Sequence, residues 1–471
     1  MTHVFVIMLS GQGVNQLYGS QSSYPYLTKT LRPQGELVRN YYAVAPSSLA
    51  NGIALISGQG PTQQTAANCP QYQAVTPATP ASGGQVTGDG CVYPTATVSI
   101  ADQLTATGQT WKAYIEGMAS GPAATSPSTT TSTTATNTSS ATTTAPASTT
   151  TSPGTTTSGA PPDTSPTCRY PALGGPDPDQ APRAGDPYVT WRNPFVYFTS
   201  IVSGTSCNTQ DVDLSQLTAD LKSESTTPAL SYIVPTPCDN GSGQSCTPGQ
   251  PADPKAAALA TDAFLKRVVP AIEQSAAYKA GGLIAITSDQ APQTGPQADS
   301  SACCNNPAYP NLPAPTGGSS STTTTTAAPA PTTTTAAPTT TDAPTSTSTS
   351  TTTTGPATTT TSTAAASPTT TTPSQSSSTT SSSTTTTGPG TSAPAGNGQV
   401  TPTGGGGKVG LLLISPYVKA NTTDELDDYN HYSLLASIES LFTLNRLGYA
   451  ADPSLPVFNS VVYNAYHPPG G

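Results

Sequence analysis

Val4-Phe5-Val6-Ile7-Met8-Leu9 stands almost at the start of the chain: six apolar residues with no polar alternate, closed by Ser10-Gly11-Gln12-Gly13. A strand with one wet face alternates apolar and polar side chains, so a short uninterrupted run points to a strand buried on both faces of a parallel sheet. No basic segment precedes it and no small-residue cleavage site follows, so it reads as a strand and not as a secretion signal. Ser231 to Val234, Leu283 to Thr287 and Val409 to Ile414 repeat the pattern. Between these runs lie stretches of helical period: Leu49 to Ser57 ending at Gly58, Ile100 to Thr107 before Gly108, Asp213 to Leu221, Ala256 to Tyr278, and Tyr432 to Leu444. The fourth carries Phe264, Val268 and Ile272 on one face, and the fifth Leu434, Ile438 and Leu441. Strand and helix in alternation predict a layered α/β domain.

Two tracts interrupt that alternation, at about Ala119 to Thr167 and about Ala314 to Gly407, both crowded with Thr, Ser, Pro, Ala and Gly. They hold too little apolar surface to offset the entropy of ordering, and are expected to be disordered. Their wording suits either O-glycosylated stalks or plain flexible spacers. Because each lies inside the α/β pattern, they are read as long insertions, tolerated because closure cost grows only with the logarithm of loop length. One domain is therefore expected in three parts, 1–118, 168–313 and 408–471, with insertions at 119–167 and 314–407.

Charged residues make up 8% of the 471, and 15 Lys and Arg against 25 Asp and Glu leave a net charge of −10. Without a basic cluster, nucleic acid and anionic membrane are excluded as expected partners. No apolar run approaches the ~20 residues that span a bilayer. Eight cysteines (Cys69, Cys91, Cys168, Cys207, Cys238, Cys246, Cys303, Cys304) lack C-x-x-C spacing, and with three histidines (His3, His431, His467) a Cys/His zinc cage is not expected. An even, scattered count reads as disulfides, which implies an extracellular or cell-envelope location and a signal sequence lost where the start was assigned. The pairing is not legible.

Ligands of open α/β sheets gather where strands end at their carboxyl edges. After the first strand, Ser10-Gly11-Gln12-Gly13 offers no acid, base or strong metal ligand, and lacks the helix and acidic partner of a dinucleotide fingerprint. Ser47-Ser48-Leu49-Ala50-Asn51 opens a helix, where a serine is either an N-cap or a nucleophile whose phosphoryl charge meets the helix N-terminus. Glu116 and Arg192 are open between a cleft role and ordinary surface pairing.

His3 to Leu9, Tyr41-Tyr42-Ala43-Val44-Ala45, Ile53 to Gln59, Trp111-Lys112-Ala113-Tyr114, Asn193-Pro194-Phe195-Val196-Tyr197-Phe198, Gly410 to Val418 and Asn430-His431-Tyr432-Ser433-Leu434-Leu435 together resemble, in family order, the bacterial phosphoesterases of acid phosphatase and phospholipase C type within the alkaline-phosphatase-like superfamily. The resemblance covers nearly all the chain outside the tracts. It implies an α/β sandwich with a largely parallel central sheet between helices, and a site that hydrolyses phosphate esters with divalent metal. Active relatives end the first strand with Glu-Asn, where this chain has Ser10-Gly11. They open the nucleophile helix with His-Pro-Ser-Leu-Pro-Asn, where Pro46-Ser47-Ser48-Leu49-Ala50-Asn51 keeps Ser and Asn without the His. Their Asp-Gly-His-like turn is Asn240-Gly241-Ser242 here, between Cys238 and Cys246, with Asp239 one residue early as a partial stand-in. Asp289 and His431 keep family ligand positions.

Three readings follow. In the first, the chain is an exported phosphoesterase relative with a dismantled metal site, weak or inactive, retained for binding or a cell-surface role. In the second it is an active phosphoric ester hydrolase, with Ser48 as nucleophile, Asn51 steadying the phosphoryl oxygens, and Asp289 and His431 on zinc, manganese or calcium. In the third it is a mucin-like surface spacer, associated with the cell envelope through its Thr/Ser-rich tracts.

Overall fold

The structure, a computed structural model, describes residues 1–120, 166–244, 253–304 and 404–463. All lie in one compact unit, Met1–Thr316 with Ser392–Gly471; the second unit, Gly317–Thr391, and nearly all of both Thr/Ser-rich tracts lie outside the described residues.

Eight strands form the central sheet: β1 His3–Leu9, β2 Glu36–Val38, β3 Trp111–Ile115, β4 Asp211–Asp213, β5 Leu230–Val234, β6 Gly282–Ser288, β7 Leu411–Ile414 and β8 Thr422–Asp424, in the order β8-β2-β7-β6-β1-β5-β3-β4. β1 pairs in parallel with β5 and β6, β3 with β5 and β4, and β8 with β2, while β7 is antiparallel to both β6 and β2. The sheet is thus mostly parallel, as the apolar runs predict, but Val409 to Ile414 is a correction. A strand buried on both faces reads alike in either direction, and direction is set by where the connection enters.

The period-2 geometry of β1 divides the core. Val4, Val6 and Met8 face a cluster with helices α1 Ser48–Ser57, α2 Ile100–Ala106 and α5 His431–Leu441; Phe5, Ile7 and Leu9 face one built on α3 Pro254–Gln274 and Tyr278 of α4 Ala276–Gly281. The result is an α/β sandwich with helices on both faces. Among the described residues, no helix is long and apolar enough to cross a membrane.

Several boundaries differ from the sequence reading. Asp213 to Leu221 is not one helix: β4 ends at Asp213, whose carboxylate accepts from the Ser215 N–H, and only Leu217–Asp220 turns as α-helix. Ala256 to Tyr278 is broken at Ser275, whose side chain accepts from the Tyr278 N–H and starts α4 afresh. The last helix stops at Leu441. Gly404–Gly407, assigned by composition to the second tract, is packed into the domain: Gly405 and Gly407 N–H groups donate to Ser300 and Ser301 carbonyls, and Gly406 and Ala43 are bonded through their main chains. The reason for glycine is contact, since a Cβ on Gly406 would sit 2.3 Å from the Ala45 oxygen.

Cys69–Cys91, Cys168–Cys207 and Cys303–Cys304 are disulfides, Cys238 is also disulfide-bonded, and no free cysteine is found among the described residues.

Candidate functional site

The seven-residue register of β1 on β6 places Leu9 beside Ser288, so Ser10 and Asp289 leave the sheet together; the Asp289 N–H donates to the Leu9 carbonyl (3.0 Å). Gly11, with φ +68°, turns its N–H onto Asp289 Oδ1 (3.3 Å). α1 begins at Ser48 after the extended N-cap residue Ser47 and ends at Gly58 in the left-handed region. Ser47 does not cap with its side chain but donates to the Thr65 carbonyl (3.0 Å). The Ser48 hydroxyl then lies 3.5 Å from that of Ser10.

Arg192 arrives from the 3-10 turn Thr190–Arg192, which packs on α1 because Gly52 leaves room for Pro194; a Cβ there would lie 3.1 Å from the Pro194 Cβ. Its Nη1 is ion-paired with Asp289 Oδ2, and its Nη2 donates to the Met8 carbonyl (2.6 Å). Of the two roles open to Arg192, the structure shows pairing, with a buried acid and not a surface one. Nothing in its local pattern distinguishes the two, because the partner is 97 residues away.

His431 starts α5 behind the capping box of Asn430 and Ser433. Its Nε2 lies 3.1 Å from the Asp289 main-chain oxygen, and its Nδ1 2.8 Å from the Tyr41 hydroxyl. A carbonyl can only accept, so Nε2 carries the proton and the Tyr41 O–H donates to Nδ1. Burial pushes the imidazole pKa down to about 4, against an opposing influence from the Asp289 backbone and charge, so the ring is neutral at pH 7.

The remaining positions do different work. Asn51 is spent on the backbone ahead of its helix: Oδ1 accepts from Val44 (2.8 Å) and Ala45 (3.1 Å), and Nδ2 donates to Ala45 (2.6 Å) and Ser47 (2.8 Å). No donor is left over to steady a phosphoryl oxygen. Pro46 is exposed in that loop. Asn240 is buried, accepting from the Ser10 N–H through its carbonyl and from the Ser242 N–H through Oδ1. Asp239 does not stand in for the lost ligand. It lies beside Glu116, with its side chain in hydrogen-bond contact, on the wall of a separate cavity of about 560 Å³, where Glu116 is paired with Arg267, and burial raises both carboxyls.

A divalent metal does not fit the residues present. Asp289 Oδ2 is taken by Arg192, the lone pair of His431 is taken by Tyr41, and Ser10, Gly11, Asn240 and Ser242 bring no charge. Catalytic zinc needs three protein ligands. The Cys168, Cys207 and Asp211 side chains also lie within 4.8 Å of one another, but both sulfurs are in a disulfide. Ser48, Asp289, His431 and Arg192 are each at most 5% exposed. A cavity of about 1220 Å³ is lined by Gly11, Gln12, Tyr24, Arg39, Ser242 and Lys255 among others, and none of those four residues lines it.

The Phosphoesterase family model matches residues 365–445, whose described part holds β7, β8 and the start and body of α5 with His431. No curated protein matches the chain. Among solved structures, a protein in the alkaline phosphatase superfamily from Vibrio parahaemolyticus is similar at 11% identity and a TM-score of 0.32, over 63% of this chain and 56% of that one. The chain thus spans little more than half of that protein's length. Residues 365–445 thus match a Phosphoesterase family model, within a chain of mixed α/β fold with a mostly parallel central sheet.

Proposed function

We propose that this chain is an exported phosphoesterase relative whose metal-dependent hydrolysis has been lost or nearly so, and whose remaining role is binding or presentation at the cell surface. The observation that carries this reading is the state of the two surviving ligand positions: Asp289 is neutralised by Arg192, and His431 has no lone pair to offer. Two metals that charge the nucleophile and steady the leaving oxygen would supply several kcal/mol of transition-state stabilisation, and the residues present do not offer the ligands to hold them. Burial of Ser48 adds to the case, because a nucleophile must reach its substrate. Purified protein supplied with zinc, manganese or calcium should hydrolyse p-nitrophenyl phosphate and bis-p-nitrophenyl phosphate no faster than Ser48→Ala. Turnover at ordinary enzymatic rates that Ser48→Ala abolishes would make the chain an active hydrolase with Ser48 as nucleophile.

A further inference from the structure

We propose that the guanidinium of Arg192 is the resident cation of this site, standing where the family's chemistry calls for a metal. The inference rests on the reading of a dismantled metal site and states what replaced the ion. Arg192 gathers three oxygens at the carboxyl ends of β1 and β6: Asp289 Oδ2, the Met8 carbonyl (2.6 Å from Nη2) and the Leu9 carbonyl (3.4 Å from Nη1). A carboxylate with carbonyl oxygens is the donor set that a hard cation collects. Here a planar fork of N–H groups collects it.

Charge balance makes the exchange self-consistent. Ser10, Gly11, Asn240 and Ser242 stand where the resemblance places Glu, Asn, Asp and His, so Asp289 is the one carboxylate of the cluster. One guanidinium neutralises it, whereas a divalent ion would leave a buried excess of positive charge. At 5% and 1% exposure, Arg192 and Asp289 are each costly to leave unpaired. The absence of the acidic ligands and the presence of the arginine therefore belong together: each makes the other tolerable. The pair also ties the Thr190–Arg192 turn to the two central strands.

The test compares wild type, Arg192→Ala and Arg192→Ala with Asp289→Asn by thermal unfolding and by manganese titration calorimetry. Arg192→Ala should lower the midpoint by about 10 °C, from the usual penalty for breaking a buried pair. Millimolar guanidinium should then restore several degrees to Arg192→Ala, leave wild type unmoved, and leave the double variant unmoved because the carboxylate is gone. Should Arg192→Ala not fold, Arg192→Met with Asp289→Asn removes both charges at once and should fold with a midpoint near that of wild type. The inference is overturned if guanidinium does not move Arg192→Ala, if that neutral pair also fails to fold, or if wild type binds manganese tightly and Asp289→Asn abolishes it. Ester hydrolysis by wild type without metal would sink the reading of lost activity and leave the Arg192 inference intact.

Discussion

At the scale of single residues, burial moves His431 and Asp211, among others, across the range of pH in which proteins are handled. His431 is neutral because its folded pKa is about 4, below the ordinary 6.5. The unfolded chain binds that proton more readily, so stability should fall as pH drops from about 6.5 through 4. Asp211 runs the other way. The first residue of β4, fully buried, it receives one hydrogen bond from Asn193 (2.8 Å), and burial pushes its carboxyl up to about 7 against that bond. Its raised folded pKa means that the associated stability is fully present below the unfolded value of 3.8 and is lost as pH rises through about 7. Asp211→Asn keeps an oxygen for Asn193 and never charges, so it should stabilise the protein at pH 8 by about 4 kcal/mol and by almost nothing at pH 4. Unfolding midpoints at the two pH values check this; equal gains at both would show that the buried charge is not the cause.

Elements meet the site through the loop from Ala43 to Ser47, which is held from two sides. Asn51 binds it from within α1 with four hydrogen bonds, and the Gly404–Gly407 run lies against its outer edge. Gly406→Ala would place a methyl 2.3 Å from the Ala45 oxygen and 2.5 Å from the Ala43 Cβ, neither of which is the end of a flexible chain. It should cost about 2 to 3 kcal/mol, as overpacking against backbone does. Denaturant unfolding would show a lower midpoint at unchanged slope, and an unperturbed midpoint would mean that the loop yields freely. Composition cannot reveal this role, since four glycines after a Thr/Ser/Pro/Gly tract read as more of the same. The helix start at Ser48 was legible, and so was the stop at Gly58. The use of Asn51 was not, because an asparagine in the first turn of a helix looks the same whether it faces a substrate or its own loop.

Across the whole molecule, the sheet interleaves the three stretches of chain that the tracts separate. β1, β2 and β3 precede the first tract, β4, β5 and β6 lie between the two, and β7 and β8 follow the second, yet β7 sits between β2 and β6, and β1 between β6 and β5. No stretch can bury its strand edges without the others. The three located disulfides each close within one stretch, so the sheet and the packing around it hold the parts together, with no covalent tie among those bonds. Protease sites engineered into 121–165 and 305–403 and cut to completion should leave a species that elutes as one particle under native conditions. Denaturing electrophoresis without reductant should split it into three pieces. Separation under native conditions would refute the interleaved sheet as the source of cohesion, and a single band in the denaturing gel would require a disulfide between stretches.

The sequence by itself determined what depends on local pattern: buried strands from apolar runs, helices from their period and caps, two tracts from composition, disulfides from an even cysteine count without metal spacing, and a phosphoesterase resemblance from motifs in order. Trp111–Ile115 and the short strands at Glu36, Asp211 and Thr422 escaped, because three to five residues carry too little pattern to read alone. Only the tertiary structure decided the direction of β7, the packing of Gly404–Gly407, and the chemistry of the site. Arg192 and Asp289, or Tyr41 and His431, are ordinary residues until the sheet register and the packing of the turn on α1 set them side by side. In the low-dielectric interior so formed, the nearest partner decides whether a carboxylate or an imidazole is a ligand or is already spent.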